Sequence, residues 1–140
     1  MKTSPRHRIR ELVLQGLYAL ESHAGEPVTV LSDIIGDEEV TDDNRGFGEQ
    51  LLSLIWKHRQ WADGQIQGLA RNWTLERIAA IDRFILRMAL VELEYVPSTP
   101  IKVVIDEAIE LARTFSTPES SAFVNGILDS FAKGSNRVQS

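Results

Sequence analysis

The stretch FVNGILD, Phe123 to Asp129, decides the fold class, because it admits two incompatible readings. Asn-Gly between apolar residues is the strongest short-range signal for a β-hairpin. The spacing around it says otherwise. Phe123, Val124, Ile127, Leu128 and Phe131 fall at i, i+1, i+4, i+5 and i+8, which lines one face of a helix and makes a poor strand. The segment therefore reads as helix, with a glycine inside it at a cost of about 1 kcal/mol relative to alanine. Such a cost implies a neighbouring backbone packed close, or a partner approaching that surface. Asn125 is expected to hydrogen-bond through its side chain to a neighbouring helix, and Gly126 to permit close packing.

Outward from this segment the signals stay helical, with no run of alternating apolar and polar residues. Ser-Thr-Pro occurs at Ser98–Pro100 and again at Ser116–Pro118, each time offering threonine as cap and proline at the first helical position. The two helices that follow are about 16 and 15 residues long by their start and stop signals. Before them runs IDRFILRMALVELEYV, Ile81 to Val96, apolar on most of its circumference and expected to be the central, most buried helix, stopped by Pro97 and Pro100. Ser4-Pro5 opens a first helix carrying Ile9, Leu12, Val13, Leu17 and Leu20, which Gly25 and Pro27 end. A short segment around Val28 to Ile35 and an acidic connection, GDEEVTDD, lead to Thr41, the cap of a long third helix with Phe47, Leu51, Leu54, Ile55 and Ala62 in one stripe. Thr74 offers a fresh cap ahead of Leu75 to Ala80. The sum is an all-α chain of about seven helices.

At 140 residues with 43% hydrophobic composition, the chain has the size and apolar content of one domain with a real core. No apolar run approaches the roughly 18 residues needed to span a bilayer. Glu11 and Gln15 interrupt the one stretch, Glu11 to Leu20, that imitates a signal peptide. The absence of cysteine excludes disulfides and cysteine-ligated zinc, and suits a cytoplasmic protein.

Motifs for catalysis are missing. There is no phosphate loop, dinucleotide fingerprint, nucleophile elbow or cysteine nucleophile. His7, His23 and His58 lie in separate segments without a second ligand at helical spacing, so no metal is expected. Asp106, Glu107 and Glu110 form a carboxylate cluster, but the Glu-x-x-His of di-metal bundles is absent, and a solvated or ion-paired face is the expected use. Arg83 and Arg87, one turn apart on an apolar helix, need acidic partners. Those three carboxylates are the expected ones, with ligand binding the alternative.

The net charge of −5 conceals an asymmetry, since Lys2, Arg6, Arg8 and Arg10 stand in the first ten residues without an acid among them. A basic arm on an acidic body suits a polyanion, and equally a merely solubilising terminus. On a helix starting at Pro5, Arg6 and Arg10 stack at i, i+4 with His7 adjacent, while Ile9, Leu12 and Val13 face the core. With the unpaired N–H groups of the helix start they would form a positive end suited to phosphates. Single-stranded RNA also needs aromatic platforms, for which Tyr18, Trp73 and Phe123 are candidates besides being core.

Three segments in order, PRHRIRELVLQGLYAL (5–20), IDRFILRMALVELEY (81–95) and PIKVVIDEAIELARTFSTPESSAFVNGILD (100–129), resemble the NusB family of bacterial transcription antitermination factors. The resemblance covers nearly the whole chain. It implies one NusB-like domain over residues 1–140, a compact helical bundle with a basic arm at 1–10 and two small helical subdomains, roughly 5–72 and 73–134, without enzymatic activity or cofactor. It implies joint binding of single-stranded boxA RNA with NusE, a small-subunit ribosomal protein, to load an antitermination complex on RNA polymerase over ribosomal RNA operons. Carried over, Lys2, Arg6, His7, Arg8, Arg10, Tyr18, Glu119 and Phe123 match RNA-binding positions, and Asp82 matches an acidic position against NusE. Two departures stand out. His7 replaces an arginine common in relatives, which brings pH dependence, and Ala122 stands where a basic residue can occur. The alternative functions are a helical protein-interaction or oligomerisation module without specific RNA binding, and the binding part of an RNA cytosine methyltransferase, a class that carries a NusB-like domain.

Overall fold

A computed structural model describes residues 4–135 of the chain. Among the described residues there are seven α-helices, one short 3₁₀ turn and no strand, so FVNGILD is helix. The chain divides into two units, one up to Lys57 and one from His58.

In the first unit, α1 (Pro5–Ser22), α2 (Pro27–Ile35) and α3 (Asp42–Lys57) pack pairwise on one another. The start of α1 is the expected one: the Ser4 hydroxyl accepts the His7 N–H at 3.1 Å and Pro5 takes the first helical position. Ile9, Leu12, Val13, Leu17 and Leu20 are buried. A Cβ on Gly48 would stand 2.7 Å from Ile9 Cγ1, and one on Gly16 would stand 2.7 Å from Leu52 Cδ2, so these two glycines are where α1 and α3 come close. Gly36 leaves α2 with φ +54°, a left-handed conformation that favours glycine, and the acidic segment follows. Thr41 caps α3 by accepting the Asn44 N–H at 3.2 Å.

The long third helix of the sequence reading is two helices. His58, at φ −106° and ψ 17°, interrupts it, and Ala62 belongs to α4 (Arg59–Leu69) in the second unit. The boundary between the two units falls at Lys57/His58, and α4 buries Ala62 and Ile66 and packs on α5. Periodicity carried across the break because it does not register a single residue leaving helical geometry.

The second unit is built around α5 (Ala80–Tyr95), buried at Asp82 and at every position from Phe84 to Leu93. Against it pack α4, α6 (Ile101–Phe115) and α7 (Pro118–Lys133). Tyr95 stacks on His58 with centroids 3.9 Å apart, and Trp61 meets Tyr95 and Phe131 edge-on at 5.4 and 6.0 Å, which ties α4 to α5 and α7. Thr117 caps α7 as expected, but the cap position of α6 falls on Pro100 and not on Thr99: the helix starts at Ile101, and the Thr99 N–H closes a turn on Val96. Thr74 makes no side-chain cap bond, and only a single 3₁₀ turn, Leu75–Arg77, follows it.

Three further expectations change. Arg87 pairs with Asp63 of α4, a partner outside the expected three, Nε and Nη2 each donating at 2.7 Å. Glu110 instead pairs along its own helix with Arg113 at 2.7 Å. Asn125 is exposed and a Cβ on Gly126 would meet nothing within 4 Å, so neither locks nor closes a helix interface. Val124, Ile127 and Leu128 alone hold that part of α7 in the core.

Candidate nucleic-acid interface

The sequence-derived site residues fall in both units. In the first, Arg6, His7, Arg8 and Arg10 share the opening turns of α1, with Tyr18 farther along the helix and 57% exposed. Lys2 lies outside the described residues. The side chains do not form the outward stack expected of them. Arg10 is only 3% exposed, its guanidinium 5.0 Å from the Phe47 ring centroid, and Arg6 covers the same ring at 4.2 Å. Phe47, read as core from its place in the α3 stripe, is thus a cation platform.

Each remaining arm residue meets a carboxylate. Arg6 Nη2 donates to Asp43 at 3.0 Å. Arg8 grips Glu38 with Nε and Nη2, both at 2.9 Å, while its Nη1 donates to Glu11 at 3.0 Å. His7 Nε2 lies 3.6 Å from Glu11. The hydrogen bonds to Glu38 and then Glu11 raise the Arg8 pKa, and the same bond holds the Glu38 carboxyl below its usual range. Glu38 was read only as part of the acidic connection, because nothing local links it to an arginine 30 residues away.

In the second unit, Asp82, Glu119 and Phe123 converge on one cleft of about 310 Å³, whose walls include Trp73 and Arg77. Asp82 stands in the first turn of α5 and is 6% exposed. Its Oδ2 accepts the Ser120 hydroxyl at 2.7 Å, while its Oδ1 is buried without a hydrogen-bond partner among the described residues. The cap of α7 sets this up: the Thr117 hydroxyl accepts the Ser120 N–H at 3.2 Å, and the Ser116 hydroxyl donates to Ser120 at 2.9 Å. Glu119, Ser120 and Phe123 then share one side of the helix. Phe123 is half-buried and Trp73 is 51% exposed. Gln67 fixes the Trp73 loop from α4, donating to the Trp73 carbonyl at 2.9 Å and accepting the Leu75 N–H at 3.2 Å.

An unpaired buried carboxylate oxygen is costly unless something donates to it. Asp82 lines the cleft together with Trp73 and Phe123. Ser120 and Arg77 were not anticipated as parts of this cleft, nor Gln67 as the support of its Trp73 loop. The two serines after the Thr117 cap were the available signal for the first of them.

The NusB family model matches residues 7–133. A transcription antitermination protein NusB of Symbiobacterium thermophilum is 39% identical over 137 residues, covering 92% of this chain and 90% of the relative. The structure of T. maritima NusB superposes with a TM-score of 0.84 at 34% identity, covering 95% of this chain and 93% of that one. A likeness of fold extends to a solved assembly of antitermination factors NusB and NusE with dsRNA, at a TM-score of 0.82 and 19% identity over 94% of this chain and 98% of that one. With both the family match and a relative of this identity spanning nearly its whole length, the chain belongs to the NusB family.

Proposed function

We propose that the chain is a non-enzymatic, cytoplasmic antitermination factor that binds single-stranded boxA RNA together with NusE and modifies RNA polymerase on ribosomal RNA operons. The observation that carries this reading is the cleft of the second unit. Asp82, Glu119 and Phe123, the residues that the family resemblance assigned to NusE and to RNA, line a single cleft, and Asp82 keeps one buried oxygen without a hydrogen-bond partner among the described residues. The names of the relatives and the solved assembly of NusB, NusE and dsRNA support it. No catalytic step and no cofactor enter the reading.

Phe123 offers a half-buried ring for base stacking, and Asp82 Oδ1 an acceptor for a donor of NusE. Arg6, His7 and Arg8, with Lys2 preceding them, supply phosphate contacts, and Arg10, held against Phe47, positions Arg6. Tyr18 offers an exposed ring on α1.

A titration of labelled boxA RNA, single-stranded and as a duplex, against the protein with and without NusE is the test. Phe123→Ala is expected to weaken single-strand binding by the stacking contribution of about 1–3 kcal/mol. A protein that binds neither RNA, and whose association with NusE is indifferent to Asp82→Ala, refutes the reading. The pairing of Arg6 and Arg8 with internal carboxylates favours a second reading, a protein-interaction module without RNA. Absence of any salt-dependent RNA binding at about 0.15 M salt would establish it.

A further inference from the structure

The acidic segment after α2 carries Asp37, Glu38, Glu39, Asp42 and Asp43 within seven residues, a string of negative charge comparable to a short run of phosphates. Gly36 turns the chain out of α2 at φ +54°, and Thr41 anchors its far end at the start of α3. Two of its carboxylates reach the arm. Glu38 takes Arg8 through a two-pronged bond with both distances 2.9 Å, and Asp43 takes Arg6 at 3.0 Å.

The form of these contacts argues against a mainly structural purpose. The pairs lie at the surface: Arg8 and Glu38 side chains are 40% and 35% exposed, and Asp43 is 85% exposed. Exposed pairs contribute little to stability. The forked Arg8–carboxylate geometry is the one a guanidinium also uses for two oxygens of a phosphate. Arg6 keeps a further donor, Nη1, buried without a hydrogen-bond partner. Beside Arg8 a cleft of about 390 Å³ runs between the start of α1 and the acidic segment, lined by Pro5, Ile9, Glu38, Val40 and Thr41.

We infer that the acidic segment is an intramolecular stand-in for RNA: Glu38 and Asp43 occupy Arg8 and Arg6 in the free protein and must be displaced before those arginines can hold phosphates. The exchange trades one carboxylate for one phosphate on the same donors, so the segment weakens binding without abolishing it. It thereby discriminates against polyanions that lack the further contacts needed to displace it. This rests on the proposed role of the arm in RNA binding.

The test is a titration of labelled single-stranded boxA RNA against the full chain and its Glu38→Gln, Arg8→Ala and doubly substituted forms at about 0.1 M salt. Arg8→Ala is expected to weaken binding and lower the log–log salt slope by about 0.7. Glu38→Gln is expected to tighten binding about two- to fivefold, in keeping with the strength of exposed pairs. That gain should vanish in the Arg8→Ala background, where no guanidinium remains to be released. Asp43→Asn against Arg6→Ala is the parallel pair. An equal gain with and without Arg8 would mark a general charge effect and overturn the inference, as would unchanged or weakened binding by Glu38→Gln while Arg8→Ala still weakens it. If Arg8→Ala and Arg6→Ala both leave affinity unchanged, the role of the arm falls, and this inference with it.

Discussion

Asp82→Ala should separate a carboxylate kept for binding from one kept for stability. The substitution removes the charge-assisted bond from Ser120, Oγ to Oδ2 at 2.7 Å, a loss of about 1.5–3 kcal/mol. It also removes a favourable charge from the first turn of α5, about 0.3–1 kcal/mol. Against these stands relief from burying Oδ1 without a donor, about 1–3 kcal/mol. Ser120 is not orphaned, because Ser116 and Thr117 both hydrogen-bond to it. The expected destabilisation is therefore about 1 kcal/mol, measured as a shift in the urea midpoint at unchanged slope. Binding should suffer more. A partner donor reaching Oδ1 contributes about 1.5–3 kcal/mol, so affinity for NusE with boxA RNA should fall about ten- to 150-fold by calorimetric titration. A stability loss above about 3 kcal/mol with unaltered binding would refute the reasoning, because it would make Asp82 a structural acceptor whose second oxygen is satisfied.

Other substitutions probe the fold that carries the site. Asp63→Ala should destabilise by about 2–3 kcal/mol by taking both carboxylate oxygens from Arg87, whose side chain is 5% exposed, while Arg87→Met should cost less; urea unfolding of both and of the double variant measures their coupling. Gly126→Ala should stabilise by up to about 1 kcal/mol, since the new methyl group meets open space, whereas Gly48→Ala should destabilise by about 1–2 kcal/mol net of its helix preference, because Ile9 and Leu31 must move. Thermal melts distinguish the two signs. The Glu38 pKa is depressed in the folded state by Arg8, so its stabilising contribution is present above the ordinary value of 4.5 and is lost as pH falls through the lower folded value. The difference in melting temperature between the wild-type chain and Glu38→Gln should accordingly be small at pH 7, at most about 1 kcal/mol in equivalent free energy for so exposed a pair, and close as pH drops below that value.

The family resemblance, and not the spacing, singled out Glu119, Phe123 and Asp82; the cap and proline before α7 put the first two on one turn, and Asp82 stands in the first turn of α5. The cluster of arginines on the first turns of α1 was plain in residue order, yet its chemistry was not. Arg10 turned inward onto Phe47, and Arg8 and Arg6 met Glu38 and Asp43, residues 30 and 37 positions away. Trp73 entered the sequence reading only as one of three aromatic candidates. It became a wall of the Asp82 cleft because Gln67, on α4, holds its loop.

The sequence by itself determined that this protein is helical, where α1, α3 and α7 begin, and which helix is most buried. Those properties depend on apolar spacing and on hydrogen bonds spanning about one turn, which any short window of residues contains. The tertiary structure decided which charges meet and which glycines are crowded. Arg87 found Asp63 on α4, and the helix stripe broke at His58. Gly48 lies against Ile9, while Gly126, in the segment that first suggested a hairpin, faces open space. A helix repeats its own geometry, so its course is written locally. Which side chain stands opposite depends on how separate helices pack, and neither partner's neighbours in the chain record that.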